Sequence, residues 1–193
     1  MSAEAMQETN APVLPGSIPE SLGKRVSVTD PRHLELAGFL DDESALLDRD
    51  DLQGWLAILS PEITYRAPVR TTRDHRSHDE FEPGMFHFNE NIDTLTLKLM
   101  RFVTSDSAWA ENPRSRTHRI IHKVRVYETE ISDEYEVHSS IVLFRSRNDD
   151  PELEVLPAKR VDIIRGGQRW VLVARTLYFD QTTLAIQNLT SYL

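Results

Sequence analysis

The most constraining feature of this sequence is a series of strand-like segments that fills its C-terminal half. The side chains of a strand point alternately to its two faces, so alternating apolar positions predict strands. Such segments lie at 120–126, 135–147 and 153–165. In the first segment, alternation places four residues on one face: Ile120, His122, Val124 and Val126. The last segment, 170–179, follows the turn signal Gly166-Gly167 and is apolar on both faces, which predicts a central strand.

Helices and one further strand precede this series. Asp30 is suited to cap a helix that has Pro31 in its first turn. A second helix is predicted by apolar residues at helical spacing and a proline that should end it: Leu52, Trp55, Leu56, Leu59 and Pro61. Residues 63–69 alternate as a strand, residues 70–85 are predicted to form a long loop, and Asn91 should cap a third helix.

The order of helices followed by adjacent strands predicts an α+β fold. In such a fold the helices pack on one face of a curved, mostly antiparallel sheet. Residues 1–29 contain three prolines and few large apolar residues, which predicts an N-terminal arm that is flexible or lies on a partner. Residues 30–193 are predicted to form a single domain, because their number suits one core.

Composition and charge exclude several classes of function. The chain has no cysteine, so it cannot supply a thiolate ligand, a thiolate nucleophile or a disulfide. Its net charge of −9 argues against nucleic acid as a partner, because phosphate binding needs a basic surface. Its apolar runs fall short of the roughly 20 residues of a membrane-spanning helix, and the polar N-terminus is unlike a secretory signal. We therefore expect a cytoplasmic protein that binds neither nucleic acid nor membrane.

The histidines of the sequence do not form a recognisable metal motif. His118 and His122 are spaced for one helical face, but their segment favours a strand and lacks the glutamate of a zinc protease motif. His75 and His78 lie among acidic residues, yet the arginines between them oppose a bound cation. We therefore expect no metal ligands in this chain.

Motifs for catalysis are also absent from the sequence. It contains neither a glycine-rich phosphate loop nor a serine in a nucleophile elbow. A general acid–base pair built from Tyr65, His122 or Asp162 stays open, since a curved sheet can enclose a cavity. Each of these residues equally fits a hydrogen-bonded, partly buried polar group.

Arginines cluster twice in this acidic chain, once around Arg70 and once between residues 114 and 125. Arginine binds carboxylates through paired hydrogen bonds, and arginine with an aromatic residue is typical of interface hot spots. A solvated loop with a locally packed tryptophan explains the same composition. The residues that we select as a candidate subunit interface are Arg70, Trp109, Glu111, Arg114, Arg116 and Arg119.

Several blocks of the sequence share their order and spacing with one known family. The most specific block joins Ala108-Trp109-Ala110-Glu111 to Ser115-Arg116-Thr117. Further blocks are Ala67-Pro68-Val69-Arg70, Gly84-Met85-Phe86-His87-Phe88, Lys159-Arg160-Val161-Asp162 and Leu177-Tyr178-Phe179-Asp180-Gln181. Together they resemble the β (small) subunits of aromatic-ring-hydroxylating dioxygenases of the biphenyl, naphthalene and phthalate type. The resemblance covers residues 30–193, with departures at Asn112-Pro113-Arg114 and at His118.

This resemblance implies a cone-shaped fold like that of nuclear transport factor 2 (NTF2-like, cystatin-like). It also implies an assembly of three large and three small subunits, in which the small subunits form a trimer. The large subunit of such enzymes carries a Rieske 2Fe-2S cluster and a mononuclear iron. It receives electrons from a reductase and a ferredoxin, and it adds dioxygen to an aromatic ring to give a cis-dihydrodiol. The small subunit is expected to be structural, with no catalytic, cofactor-binding or metal-binding residues of its own.

Two alternatives remain at the level of sequence. The first is a stand-alone enzyme on the same fold, such as an isomerase or dehydratase, which needs a polar dyad in the cavity of the cone. The second is a small binding adaptor, which needs an exposed apolar patch. A filled cone would argue against the first alternative.

Overall fold

The computed structural model describes residues 16–74, 80–104, 115–147, 149–184, 186 and 192–193. Its helices are α1 (Pro31–Asp48), α2 (Leu52–Ala57) and α3 (Ile92–Thr104). Its strands are β1 (Leu59–Arg70), β2 (Phe81–Glu90), β3 (Arg116–Glu128), β4 (Glu134–Ser146), β5 (Glu154–Arg165) and β6 (Val171–Phe179). None of the helices in these ranges has the length and apolar character that crossing a membrane requires.

All of these strands belong to one sheet with the order β2-β1-β6-β5-β4-β3. Neighbouring strands run antiparallel, except that β1 and β6 are parallel. The prediction that the last strand is central is confirmed, because β6 lies between β1 and β5. Its apolar residues on both faces reflect this position.

Two predicted helix starts are confirmed by their caps. The Asp30 side chain accepts a hydrogen bond from the backbone N–H of Arg32 at 2.8 Å, and Pro31 is the first residue of α1. At the start of α3, the Asn91 side chain accepts from the backbone N–H of Thr94 at 2.9 Å. These side chains bind N–H groups that have no partner within the first helical turn.

The predicted end of the second helix is wrong. Helix α2 ends at Ala57, and the following residues, including Pro61, belong to β1. Proline lacks a backbone N–H and is accepted in a strand only where no ladder bond is required. Pro61 meets this condition, because β2 pairs with β1 only over residues 65–70 and the pairing with β6 is irregular between residues 59 and 64.

The predicted loop over residues 70–85 is wrong in its last part, since β2 begins at Phe81. This strand lies at the edge of the sheet, and its pairing with β1 shifts register twice. Gly84 has a φ of +76°, a conformation that favours glycine. Bulges interrupt the alternation of side chains, so the usual sequence signal of a strand is missing here.

Strand β3, at the opposite edge, contains a bulge that reverses its faces. Its register with β4 shifts between His122 and Arg125, and Lys123 has a left-handed φ of 55°. The extra residue exchanges the inward and outward positions of the strand. The predicted common face for Ile120 and Val126 is therefore wrong, because Ile120 is 46% exposed and Val126 is fully buried.

The helices lie on one face of the sheet, as predicted. Helix α1 buries Leu36, Leu40 and Leu47 in the same core as Ile141 of β4 and Leu177 of β6. Helix α3 packs on β1 and β2 at the other end of the sheet. The space between the helices and the sheet is the interior of the fold.

Residues 16–26 contact both edges of the sheet. The carbonyl oxygen of Gly16 accepts from the backbone N–H of Phe81 at 2.9 Å, at strand β2. At strand β3, the backbone N–H of Val26 donates to the Val126 carbonyl at 2.9 Å. Between these points the segment passes the sheet face that carries Lys159, opposite the interior. Residues 1–15 of the predicted arm lie outside the described residues.

Candidate functional site

Four charged side chains meet in the interior, where charge is found only when it is paired. Glu43 lies on α1, Arg160 and Asp162 on β5, and Arg175 on β6, and all four are buried. Side chains two residues apart on a strand share a face, so Arg160 and Asp162 both point inward. Asp162 stands directly opposite Arg175 in the ladder. We call these four residues the interior network.

Arg175 is the centre of the interior network. Its Nε and Nη2 donate to the Asp162 carboxylate at 2.8 and 2.9 Å. Its Nη1 and Nη2 donate to the Glu43 carboxylate at 2.6 and 2.7 Å. Arg160 approaches Glu43 at 3.5 Å and donates from Nε to the Ser139 hydroxyl at 3.1 Å. Two guanidinium groups thus balance two carboxylates, and the bonds of Arg175 have the paired geometry that is strongest.

Burial and ion pairing act in opposite directions on the charged groups of this network. Burial raises the pKa of Glu43, but attraction to Arg175 and Arg160 outweighs it, so the pKa lies below its usual value. Burial also lowers the pKa of Arg160, and the neighbouring Arg175 lowers it further. At Arg175 burial is outweighed by Asp162 and Glu43, which raise its pKa. Glu43 is therefore charged at neutral pH.

Acid should remove the stabilisation that Glu43 provides. A carboxylate with a lowered pKa in the folded state stabilises the fold fully above its unfolded pKa, and this contribution is lost as the pH falls through the folded pKa. The free energy of unfolding of the wild type should therefore approach that of Glu43→Gln as the pH falls below about 4.5. Urea unfolding of both proteins from neutral to acid pH measures this difference, and a difference independent of pH would contradict it.

Tyr192 and Leu193 fill the interior beside the network. The Tyr65 hydroxyl donates to the Leu193 carbonyl oxygen at 2.7 Å and accepts from the Leu193 backbone N–H at 2.9 Å. Arg175 Nη1 also donates to the Leu193 carbonyl oxygen at 2.9 Å. The Tyr192 ring stacks on Trp55 with 4.7 Å between ring centroids, and Leu193 is fully buried.

The polar groups around this tail connect it to both helices and sheet. Trp55 Nε1 donates to the Glu43 carboxylate at 3.0 Å. Arg119 Nε donates to the Tyr192 carbonyl oxygen at 2.9 Å, and its Nη1 pairs with Asp48. The last two residues therefore occupy part of the interior and are fixed there by hydrogen bonds to side chains from three strands, β1, β3 and β6.

The structure brings together two of the three residues considered for acid–base chemistry. Tyr65 and Asp162 both face the interior, whereas His122 is exposed on β3. Burial raises the pKa of Tyr65 to about 12, and its hydroxyl is held by Leu193. Both Asp162 oxygens accept from Arg175. Tyr65 and Asp162 are therefore engaged in contacts within the chain.

Metal ligands do not converge in the described part of the chain. Across residues 16–74, 80–104, 115–147 and 149–184, no three histidine or acidic side chains could hold an ion together. His118 and His122 both lie on β3, in agreement with the strand predicted there. His75 and His78 lie outside the described residues.

Comparisons with known proteins identify the family of this chain. Residues 42–186 match the family described as ring hydroxylating beta subunit. The chain belongs to this family. It is 33% identical over 164 residues to the beta subunit of benzene 1,2-dioxygenase from Pseudomonas putida, a match that covers 82% of this chain and 87% of the relative. The β subunit described here is thus part of an oxygenase enzyme complex.

Solved structures confirm the fold of this β subunit. A chain of naphthalene 1,2-dioxygenase with indole bound in its active site has a TM-score of 0.74 and 23% identity, covering 85% of this chain and 88% of that one. A scytalone dehydratase-like protein from Novosphingobium aromaticivorans has a TM-score of 0.58 and 12% identity, covering 81% and 89%. The predicted α+β, NTF2-like cone is therefore confirmed.

Two of the predicted interface residues of the β subunit are engaged within the chain. Arg70 donates from Nε to the Phe179 carbonyl oxygen at 2.6 Å and from Nη1 to Glu80 at 3.0 Å. Arg119 is buried against Asp48 and Tyr192. These contacts give Arg70 and Arg119 a role inside the fold, and their role at an interface stays a prediction.

Of the other predicted interface residues, Arg116 is the one that the structure describes. Arg116 is exposed at the first position of that strand, where its Nε donates to the Ser146 hydroxyl at 3.2 Å. Trp109, Glu111 and Arg114 lie outside the described residues. The structure therefore places Arg116 on the surface, and the interface itself stays a prediction.

Proposed function

We propose that this β subunit is the structural subunit of a Rieske-type aromatic-ring-hydroxylating dioxygenase in the cytoplasm. Residues 30–193 would act as a single domain that forms a trimer and binds three large subunits. The large subunit would hold the 2Fe-2S cluster and the mononuclear iron, which supply the chemistry of adding dioxygen to an aromatic ring as a cis-dihydrodiol. A reductase and a ferredoxin would act through that subunit.

The engagement of the interior polar side chains within the chain supports this proposal. In a cone-shaped fold, the interior is where a substrate would enter, since ligand sites are concave and lined by a few convergent polar groups. Here the polar groups form hydrogen bonds to one another and to Leu193. The chain also has no cysteine, so thiolate ligands for an iron–sulfur cluster must come from another subunit.

Neither alternative function is favoured. A stand-alone cavity enzyme would require Tyr65 or Asp162 to be available to a substrate, but both are bound within the interior. The likeness to a dehydratase-like protein at 12% identity supports a common fold alone. A binding adaptor would not explain the membership of an oxygenase subunit family.

Substitutions at the predicted interface should weaken assembly with the large subunit. We expect Trp109→Ala and Arg116→Ala each to reduce the affinity of the complex by about 30-fold, the effect of a hot-spot residue worth about 2 kcal/mol. Co-expression of the tagged β subunit with the large subunit, followed by native mass spectrometry, measures the assembled fraction.

The matched control for this experiment is Arg169→Ala, which removes an exposed arginine in the turn between β5 and β6. It should leave assembly unchanged. The iron content per large subunit should be the same in all complexes that survive. Normal assembly of both interface variants would exclude these residues from the interface.

A further inference from the structure

A basic pocket lies on the face of the sheet opposite the interior. Its volume is about 480 Å³, within the range of small-molecule sites. One wall is formed by Ile18–Ser21, and the floor and opposite wall come from β3, β4 and β5. We call it the arm pocket. Lys159 and Ser140 point to this face of the sheet, opposite the interior network, because each is next in its strand to an inward-facing residue, Arg160 or Ser139.

Three cationic side chains of the arm pocket come from two strands. Arg125 pairs with His138 of β4, and Lys159 of β5 pairs with Ser140, two residues further along the same face of β4. Strands are spaced by roughly 4.8 Å, so Arg125 and Lys159 flank a gap about two strands wide. Lys123 lines the same pocket. This concentration of positive charge stands out in a chain whose net charge is −9.

The cations of the arm pocket are poorly neutralised. Within the described part of the chain, no carboxylate lies within 4 Å of Lys123 or Arg125, while Lys159 is 3.9 Å from Asp180. Glu20 is the carboxylate of the lining. Ser21, Tyr127, His138 and Ser140 are further polar residues of the lining, and Glu136 binds His138 at 2.6 Å. The pocket thus offers excess positive charge together with neutral hydrogen-bonding residues, which is the chemistry that recognises an oxyanion.

The bulge of β3 creates this arrangement. Without the extra residue, the alternation of the strand would turn Arg125 inward and Val126 outward. Lys123 takes the left-handed φ of 55° that the bulge requires, although this conformation favours glycine. Strained residues that persist in a fold are concentrated at functional sites. The bulge keeps Val126 in the core and presents Lys123 and Arg125 to the arm pocket.

We propose that the arm pocket binds a small oxyanion, a molecule with a carboxylate or phosphate group. Lys123, Arg125 and Lys159 contact the charged group, and residues 18–21 close one side over it. This site is separate from the proposed structural role, since it uses none of the predicted interface residues. Acidic side chains of a neighbouring subunit carry the same negative charge as an oxyanion. Titration of the assembled complex distinguishes them from a free ligand.

The test uses the assembled complex of large and small subunits and isothermal titration calorimetry at constant ionic strength. Inorganic phosphate and succinate are the two probes, and they separate a preference for phosphate from one for carboxylate. Constant ionic strength matters because exposed charges are screened by salt. We expect at least one probe to bind at millimolar concentration, with one site per small subunit.

The variant Lys123→Gln/Arg125→Gln should weaken that binding by at least about tenfold. Its matched control is Lys24→Gln, which removes another exposed lysine of the chain and should bind like the wild type. The proposal is overturned if neither probe binds the complex, or if the double variant binds both as tightly as the wild type. Binding to the isolated chain but not to the complex would also overturn it, because a neighbouring subunit would then cover the pocket.

Discussion

The variant Arg175→Met should lose about 3–5 kcal/mol of its free energy of unfolding, the cost of breaking a buried ion pair. The substitution removes four hydrogen bonds to the carboxylates of Glu43 and Asp162. Arg160 alone would then face both carboxylates inside the fold. An unbalanced buried charge is expensive because water cannot solvate it. Urea unfolding followed by circular dichroism measures the loss.

Two controls separate the ion pair from the loss of a long side chain. The double variant Glu43→Leu/Arg175→Met leaves Arg160 facing Asp162, so charge is again balanced, and it should recover most of the lost stability. Arg165→Met removes a partly exposed arginine paired with Glu134, and it should cost much less stability than Arg175→Met, because solvent screens this pair. Equal stability of Arg175→Met and the wild type would show that the interior network is not needed for folding.

Removal of Tyr192 and Leu193 should destabilise the β subunit by a similar amount, about 3–5 kcal/mol. The shortened chain loses a fully buried leucine and the ring stacked on Trp55. It also removes the carbonyl acceptors of Arg119 and Arg175. The interior would then contain a cavity bordered by aromatic and charged groups, and small apolar dyes should bind there.

A conservative control for the shortened chain is Tyr192→Phe. It keeps the stacking on Trp55 and all backbone contacts of the tail, so its unfolding midpoint should stay close to that of the wild type. Thermal unfolding and dye binding of the three proteins measure these effects. A shortened chain with unchanged stability and no dye binding would contradict the view that the tail fills the interior.

Much of the fold could be predicted because its signals are local. Alternation along 135–147 and 153–165 marks β4 and β5, and the apolar residues on both faces of 170–179 mark a central strand. Asp30 and Asn91 mark helix starts because capping depends on one side chain and the first turn. Two features were missed, the strand β2 and the change of faces along β3, because bulges in both edge strands interrupt the alternation on which prediction depends.

The interior network could be predicted only in part. An arginine at position 175, inside a strand apolar on both faces, is a signal that a buried partner must exist. Alternation along β5 also places residues 160 and 162 on one face. The partner on α1 could not be identified, because Glu43 is one of several acidic residues in residues 41–51. Nothing local indicates that Tyr192 and Leu193 turn into the interior, since their hydrogen bonds join residues 18 to 128 positions apart along the chain.

The contacts of the interior network and of Tyr192 and Leu193 support a structural role for the chain. The network and the tail occupy part of the interior, so we expect contacts with other subunits to use the outer surface. The resemblance seen in the sequence and the family match agree on the same kind of complex. The predicted interface role of Arg116 can be tested separately from the interior network, because Arg116 is exposed at the start of β3.

The most direct test of the structural role is native mass spectrometry of the tagged chain isolated from its source cells, with iron quantified in the same sample. We expect a complex of three large and three small subunits, with all iron lost when the large subunit is removed. A homo-oligomer of this chain alone, isolated without a large iron-containing partner, would contradict it.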